Sequence, residues 1–124
     1  MHRSLRALVA VWGAALVVIG ISHLAFGADS VLGRGTFNAT LDSEIRFAGA
    51  LLVGYGLANV WAVRRSPVQR ELLLILAALT AVGAAARVLS MVSVGMPNWF
   101  YTLGTVIEVV VAILTLGLVT STGS

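Results

Sequence analysis

Long apolar stretches alternate with short polar segments along this chain. Four stretches each hold about 20 mostly apolar residues, the helical length that crosses a bilayer core of about 30 Å. They cover residues 5–26, 45–63, 72–94 and 99–119. Pro67 and Pro97 both fall between the stretches, where the missing N–H of proline does least harm to a helix. The pattern predicts an all-α fold, a transmembrane four-helix bundle in which residues 1–124 form one domain.

The connections between the predicted helices differ in length. The segment from Gly27 to Leu41 is long enough to pack over the bundle as a lid, and Asp42 or Ser43 is the expected N-cap of helix 2. The connections at 64–70 and 95–98 are short, so they predict antiparallel neighbours for helices 2–3 and 3–4. Small-residue edges, which let helix backbones approach closely, are predicted at Gly54 and Ala58 and at Ala77, Ala81 and Ala85.

Composition separates this chain from soluble domains. Apolar residues make up 59% of it and charged residues 10%, whereas a soluble domain carries about 25% charged residues. The pI of 10.7 does not predict nucleic-acid binding, because the arginines are spread over four apolar segments and form no stripe for phosphates. The chain has no cysteine, which excludes disulfides, iron–sulfur ligation and thiol catalysis.

The arginine distribution predicts the orientation in the membrane. Arg3 and Arg6 precede helix 1, and three more arginines fill the connection between helices 2 and 3. Basic loops stay cytoplasmic, so both termini are expected inside and the long loop outside. The first apolar stretch exceeds a signal-peptide core of about 7–15 residues and is interpreted as a retained helix. The arginine, alanine and glycine richness suggests a bacterial source, and the expected location is the bacterial cytoplasmic (inner) membrane, as a multi-pass protein.

Two charged residues lie well inside predicted spans. Arg87 is about 10 Å from the end of helix 3, and Glu108 is about 13 Å into helix 4, at a rise of about 1.5 Å per residue. Each would cost roughly 2.5–3.5 kcal/mol or more against lipid, so both should face the bundle interior. Because they lie at similar depth on adjacent helices, we expect them to form an ion pair.

Other polar residues are predicted at the same level or nearer the outer surface. They are His23, Asp42, Glu44, Arg46 and Tyr101. Together with Arg87 and Glu108 they form either a salt-bridge network that fixes helix register or a polar pocket that binds a ligand, since intramembrane ionisable residues are candidates for both roles. Without a histidine pair at helical spacing or any cysteine, no metal site is expected.

Several segments resemble an uncharacterised bacterial family of small four-helix membrane proteins. The segments are Gly20-Ile21-Ser22-His23-Leu24, Leu41-Asp42-Ser43-Glu44-Ile45-Arg46-Phe47, Ala86-Arg87-Val88-Leu89-Ser90, Gly95-Met96-Pro97 and the late Glu108. The family is catalogued as a domain of unknown function and is similar to the DoxX-like group. The resemblance covers almost the whole chain. It implies the architecture and a characteristic set of polar positions, and it implies no activity.

The favoured function is a membrane-embedded binding module. An outer-leaflet polar pocket would hold a lipid, a quinone or another amphipathic small molecule, with Arg87 and Arg46 binding an anionic head group and with Glu108, Glu44 and His23 setting its protonation. No other cofactor is predicted. Two alternatives stay open: an accessory subunit of a larger membrane complex, and a small acid–base enzyme of isomerase type. A proton-coupled exporter ranks lower. The expected partners are membrane lipids, with a larger complex or a homo-oligomer as further candidates.

Overall fold

Four long α-helices make up most of residues 3–121, the part of the chain that this computed structural model describes. Helix α1 spans Arg3–Phe26, α2 Ala39–Arg64, α3 Arg70–Ser93 and α4 Trp99–Ser121, with a short 3-10 helix at Gly27–Ser30. All four α-helices are long and apolar enough to cross a membrane. No strand occurs within residues 3–121. The predicted all-helical fold with four candidate membrane spans is therefore confirmed.

Helix α2 begins at Ala39, more than a turn before the predicted start at Ile45. Its N-cap is Asn38, whose side-chain oxygen accepts a hydrogen bond from the backbone N–H of Leu41 at 2.9 Å. The prediction of Asp42 or Ser43 as the cap was therefore wrong. Hydropathy marks where the apolar sequence begins, whereas a helix begins where a side chain satisfies its first free N–H groups.

The two ends of the bundle differ in character, and we name them by their residues. The basic end carries Arg6, Arg64, Arg65 and Arg70, and the loop end carries the connections 27–38 and 94–98. A continuous hydrophobic core lies at the basic end and receives residues from all four helices. Its buried members are Val9, Ala62, Val63, Val68, Leu73 and Val119. The four helices are thus joined most completely at the basic end.

Arginines at the basic end bind the carbonyl groups at the ends of helices. The Arg70 guanidinium donates to the carbonyl of Val119, in the last turn of α4, at 3.0 Å. The Arg6 guanidinium donates to the carbonyl of Arg65, the residue that follows α2, also at 3.0 Å. The last carbonyls of a helix have no partner within the helix and carry partial negative charge, so cationic donors stabilise them.

Helices α1 and α2 pack through glycines, which we call the glycine seam: Gly13 and Gly20 of α1 and Gly49 and Gly56 of α2. A Cβ atom at Gly13 would lie 2.6 Å from the carbonyl oxygen of Gly56, and one at Gly20 would lie 2.7 Å from that of Gly49. No side chain fits at these distances. Small residues let helix backbones approach closely in lipid, and the seam makes α1 and α2 one tightly packed pair.

The small-residue edges predicted from a spacing of four are mostly not at helix contacts. Nothing lies within 4 Å of a Cβ built at Gly54, and Ala81 and Ala85 are exposed, although Ala77 is buried. Helix α3 instead buries Ala77 together with Ala84, seven residues further on. Pairs of small residues four apart can occur on any face of a helix, so they do not identify the face that packs. Residues seven apart lie on nearly the same face and can therefore follow the contact with a neighbouring helix.

Between the basic end and the loop end, the α1–α2 pair and the α3–α4 pair diverge. Most helix contacts lie within the two pairs, and few join α2 to α3 or α1 to α4. The Tyr55 hydroxyl bridges the pairs near mid-bundle by donating to the Leu76 carbonyl at 3.3 Å. At the loop end, the backbone N–H of Leu32 donates to the Tyr101 hydroxyl at 2.9 Å. A cleft is left between these two connections.

Candidate functional site: an intramembrane cleft with an ion pair

The cleft between the two helix pairs has a volume of about 410 Å³. Leu16 and Thr80 at its base are buried, whereas Leu51 of α2 and Leu79 of α3 at its rim are exposed. The cleft therefore opens sideways between α2 and α3, toward the surface that meets lipid in a membrane. Its lining is apolar over most of its length, with Trp12 and Tyr55 as the aromatic members and Arg87 and Glu108 as the charged ones.

The charged residues of the cleft form the predicted ion pair. The Nε–H of Arg87 donates to both carboxylate oxygens of Glu108, at 3.0 and 3.1 Å. The Glu108 side chain is 14% exposed and that of Arg87 is 44% exposed. Helical spacing brings them together, because each residue lies on the inward face of its helix and α3 and α4 are antiparallel neighbours.

The guanidinium group of Arg87 is only partly used by this ion pair. Both hydrogen bonds to Glu108 involve Nε, and within residues 3–121 no hydrogen bond is made by its terminal nitrogens Nη1 and Nη2. An arginine has five N–H donors in a fixed plane, so up to four remain. Since the side chain is only part-buried, these donors are open to a molecule in the cleft or beside it.

A second cavity of about 270 Å³, the loop-end pocket, lies on the other side of Arg87. It is partly open and is lined by residues of α3 and α4, by Val31 of the connection between α1 and α2 and by Pro97 of the connection between α3 and α4. Its polar lining consists of Arg87, Ser90, Tyr101 and Thr105. Arg87 lines both this pocket and the cleft. The ion pair therefore stands at the junction of an apolar cavity and a more polar one.

His23 lies at the loop end of α1 and lines neither cavity. Its Nδ1 is 2.6 Å from the Ser30 hydroxyl oxygen, which itself donates to the Gly27 carbonyl at 2.6 Å. Because the single hydroxyl proton is used on the carbonyl, Nδ1 is the donor to Ser30 and Nε2 carries the lone pair. These bonds close the turn after α1.

Asp42 and Arg46 hold the same turn from α2. The Asp42 carboxylate accepts from the backbone N–H of Ala28 and from Arg46 Nε, each at 2.8 Å. Arg46 Nη1 in turn donates to the carbonyls of Leu24 and Ala25, each at 3.0 Å. Arg46 therefore caps the C-terminus of α1, a structural role that the sequence did not predict.

The structure divides the predicted polar cluster into separate groups. The ion pair and Tyr101 surround the cavities, whereas His23, Asp42 and Arg46 surround the turn between α1 and α2. Glu44 is exposed and makes no hydrogen bond or ion pair with another residue in 3–121. Within that range no three His, Asp or Glu side chains approach as metal ligands would. The cluster expected as one site is thus an ion-pair site beside a structural joint.

Sequence reasoning missed most of the apolar lining of the cleft. Trp12, Leu16, Ala48, Leu52 and Gly83 line it but resemble other apolar residues of a membrane helix in type and spacing. The buried hydroxyls of Thr80 and Thr105 add no free polar group to the interior of the bundle, because they donate to carbonyls four residues earlier, at 2.9 and 2.8 Å. Such local bonds satisfy a buried hydroxyl within its own helix.

The fold and the cleft together define a class: a small helical protein with four membrane-span candidates and, within residues 3–121, one cross-helix ion pair inside two of these spans. Residues 4–119 match the family model described as Domain of unknown function (DUF4345). This chain therefore belongs to the DUF4345 family. No curated protein and no solved structure matches it.

Proposed function

We propose that this protein binds a lipid, a quinone or another amphipathic small molecule in the cleft between its helix pairs. The observation that carries the proposal is the position of the Arg87–Glu108 ion pair at one end of a laterally open, apolar cavity of about 410 Å³. Pockets for small molecules commonly have about 300–1,000 Å³ and a few polar groups in an apolar lining.

The cleft has the polarity gradient that an amphipathic ligand requires. Arg87 lies nearer the loop end, and Leu79 and Tyr55 lie nearer mid-bundle. Leu79 and Arg87 are about 12 Å apart along α3, at about 1.5 Å per residue. An apolar chain would lie along this length with its head group at Arg87. The sideways opening between α2 and α3 lets such a molecule enter from lipid.

The remaining hydrogen-bonding capacity of Arg87 also favours binding over a purely structural role. Three other arginines, Arg6, Arg46 and Arg70, donate to backbone carbonyls. Arg87 makes no such bond within residues 3–121, and its side chain lines both cavities. With up to four N–H donors not used by Glu108, Arg87 can donate to a ligand acceptor while keeping the ion pair.

Native mass spectrometry of protein extracted in a neutral detergent tests the proposal. The wild-type chain should carry a small molecule that withstands purification, and the Arg87→Met/Glu108→Leu double variant should lose it. An apolar pair of similar volume often replaces a buried ion pair without loss of stability, so the double variant should keep its helical circular dichroism and its melting temperature.

The Asp29/Arg34 pair provides a matched control. It is a second ion pair, at 3.3 Å, but it is exposed and lies in the loop away from the cleft. An Asp29→Leu/Arg34→Met variant should retain the bound molecule. Equal retention by both double variants would contradict the proposal. A wild-type chain that brings other proteins and no small molecule would favour an accessory subunit instead.

A further inference from the structure

Hydrogen-bond donors converge on the loop-end pocket. The Arg87 terminal nitrogens make no hydrogen bond within residues 3–121, and neither does the side-chain hydroxyl of Ser90, one turn further along the same face of α3. The Tyr101 hydroxyl accepts a bond from Leu32, so its own proton is still available. Glu108 lies at the edge of this set, with both carboxylate oxygens already bound to Nε. The pocket therefore offers several hydrogen-bond donors, and the charged ones belong to Arg87.

The net charge of the site decides what kind of acceptor it can take. Glu108 compensates Arg87 at 3.0 Å, so the pair is neutral as a unit. A bound anion would add an uncompensated negative charge close to the Glu108 carboxylate. Removing an unpaired ion from water costs several kcal/mol even after relaxation. A neutral acceptor receives the same hydrogen bonds without that cost.

Arg87 lies between this pocket and the cleft and lines both. A molecule that occupies both cavities would place its head group among the donors and its apolar part in the cleft. The pocket volume of about 270 Å³ is several times the roughly 30 Å³ that a water molecule occupies in the liquid. A carbonyl-bearing ring or an ester group fits such a space.

We infer that the loop-end pocket selects an uncharged, carbonyl-type head group, of the quinone or ester class, over an anionic one. The inference rests on the proposed function, because the cleft must first bind the apolar part of the ligand. It replaces the anionic head group expected from the sequence, since Glu108 already neutralises the arginine that was expected to bind it.

This selection can be tested by thermal unfolding of the protein in dodecyl maltoside. The protein is titrated with three probes of equal chain length. Methyl decanoate carries a neutral carbonyl, decyl sulfate a permanent negative charge, and decane no head group. A ligand that binds only the folded state raises the melting temperature with its concentration. Methyl decanoate should bind about tenfold more tightly than either other probe. A tenfold difference in affinity corresponds to about 1.4 kcal/mol, which its added hydrogen bonds can supply.

A change of charge at Glu108 should reverse the order. Glu108→Gln keeps the size of the side chain but leaves the Arg87 charge uncompensated. Decyl sulfate should then bind more tightly than methyl decanoate. If Glu108 only held α3 and α4 together, its substitution would not reverse the relative affinities of the two probes.

A second variant keeps the test decisive if Glu108→Gln does not fold. Ser90→Ala removes one donor and should weaken methyl decanoate several-fold, with decane unchanged. Ser93→Ala, in the last turn of α3 and outside the pocket, is the matched control and should have no effect. Tighter wild-type binding of decyl sulfate, or equal binding of all three probes, would overturn the head-group inference while leaving the cleft proposal intact. Binding of none of them would overturn both.

Discussion

The basic end and the cleft are built from the same four helices but use polar residues in opposite ways. At the basic end, Arg6 and Arg70 donate to backbone carbonyls beside a buried core that contains Leu73 and Val9. In the cleft, Arg87 is held by a single nitrogen and lines two cavities.

This difference shows how a small bundle can combine close helix packing with an open cleft. Lipid gives little hydrophobic drive for helices to associate, so close packing and interhelical hydrogen bonds must hold them together. The glycine seam and the arginine caps provide this at α1–α2 and at the basic end. On the α2–α3 side, where few contacts join the helices, a cleft remains, and the ion pair lines it.

The largest expected effect is on the glycine seam. Gly56→Val should abolish folding or destabilise the protein by more than about 3 kcal/mol, because overpacking alone costs about 1–3 kcal/mol and here the new side chain meets the backbone of Gly13. Gly54→Val, on the same helix but facing open space, is the matched control and should change stability by less than about 1 kcal/mol. Unfolding in a denaturing detergent measures both, and similar losses would show that the seam does not join the helices.

The ion pair should give the next largest effect. Arg87→Met or Glu108→Leu alone should destabilise by about 2–4 kcal/mol, somewhat less than the 3–5 kcal/mol typical of fully buried pairs, because Arg87 is part-exposed. The double variant should cost much less than the sum. A double-mutant cycle measures the coupling, and additive single effects would mean that the two side chains do not interact.

A smaller loss is expected at the turn between α1 and α2. Arg46→Ala removes bonds to the carbonyls of Leu24 and Ala25 and should cost about 1–2 kcal/mol, reduced from the usual range for charged hydrogen bonds by its exposure. Glu44→Ala, two residues away and without a partner in residues 3–121, should change the melting temperature little. A larger loss for Glu44→Ala than for Arg46→Ala would contradict the structural role of Arg46.

The last test concerns the orientation of the two ends relative to the membrane, and no change in stability is expected in it. The chain contains no cysteine, so a single introduced thiol reports its own accessibility. In intact cells, a membrane-impermeant maleimide should label Thr36→Cys at the loop end and leave Ser66→Cys at the basic end unlabelled, as the positive-inside rule predicts. The reverse labelling would place the loop-end pocket on the cytoplasmic side.

The sequence predicted the features that carry a large energetic cost. Four apolar spans follow from hydropathy, and the Arg87–Glu108 pair follows from the cost of exposing either charge to lipid. The joint formed by Asp42 and Arg46 could not be predicted, because its partners are backbone groups of another helix. Ionisable residues at similar depth therefore indicated one cluster where the structure has two groups.

The cleft could not be predicted from the sequence, for a related reason. A cavity depends on where two helix pairs diverge, and apolar residues such as Leu16 and Leu52 are equally suited to a packed interface or to a cavity wall. The glycine seam was partly readable, since Gly13–Gly20 and Gly49–Gly56 repeat at seven residues. The spacing of four instead predicted a helix contact at Gly54, which faces open space.

The fluorescence of Trp12 tests directly whether the cleft binds an amphipathic molecule through its ion pair. The chain has three tryptophans, and Trp61→Phe with Trp99→Phe leaves only Trp12, which lines the cleft. Bromine quenches tryptophan at short range, so methyl dibromostearate should quench Trp12 along a saturating curve. Adding Arg87→Met and Glu108→Leu should abolish the saturation. A linear, unsaturated curve that is identical with and without the ion pair would show that the probe meets Trp12 only as bulk lipid, and would contradict the claim.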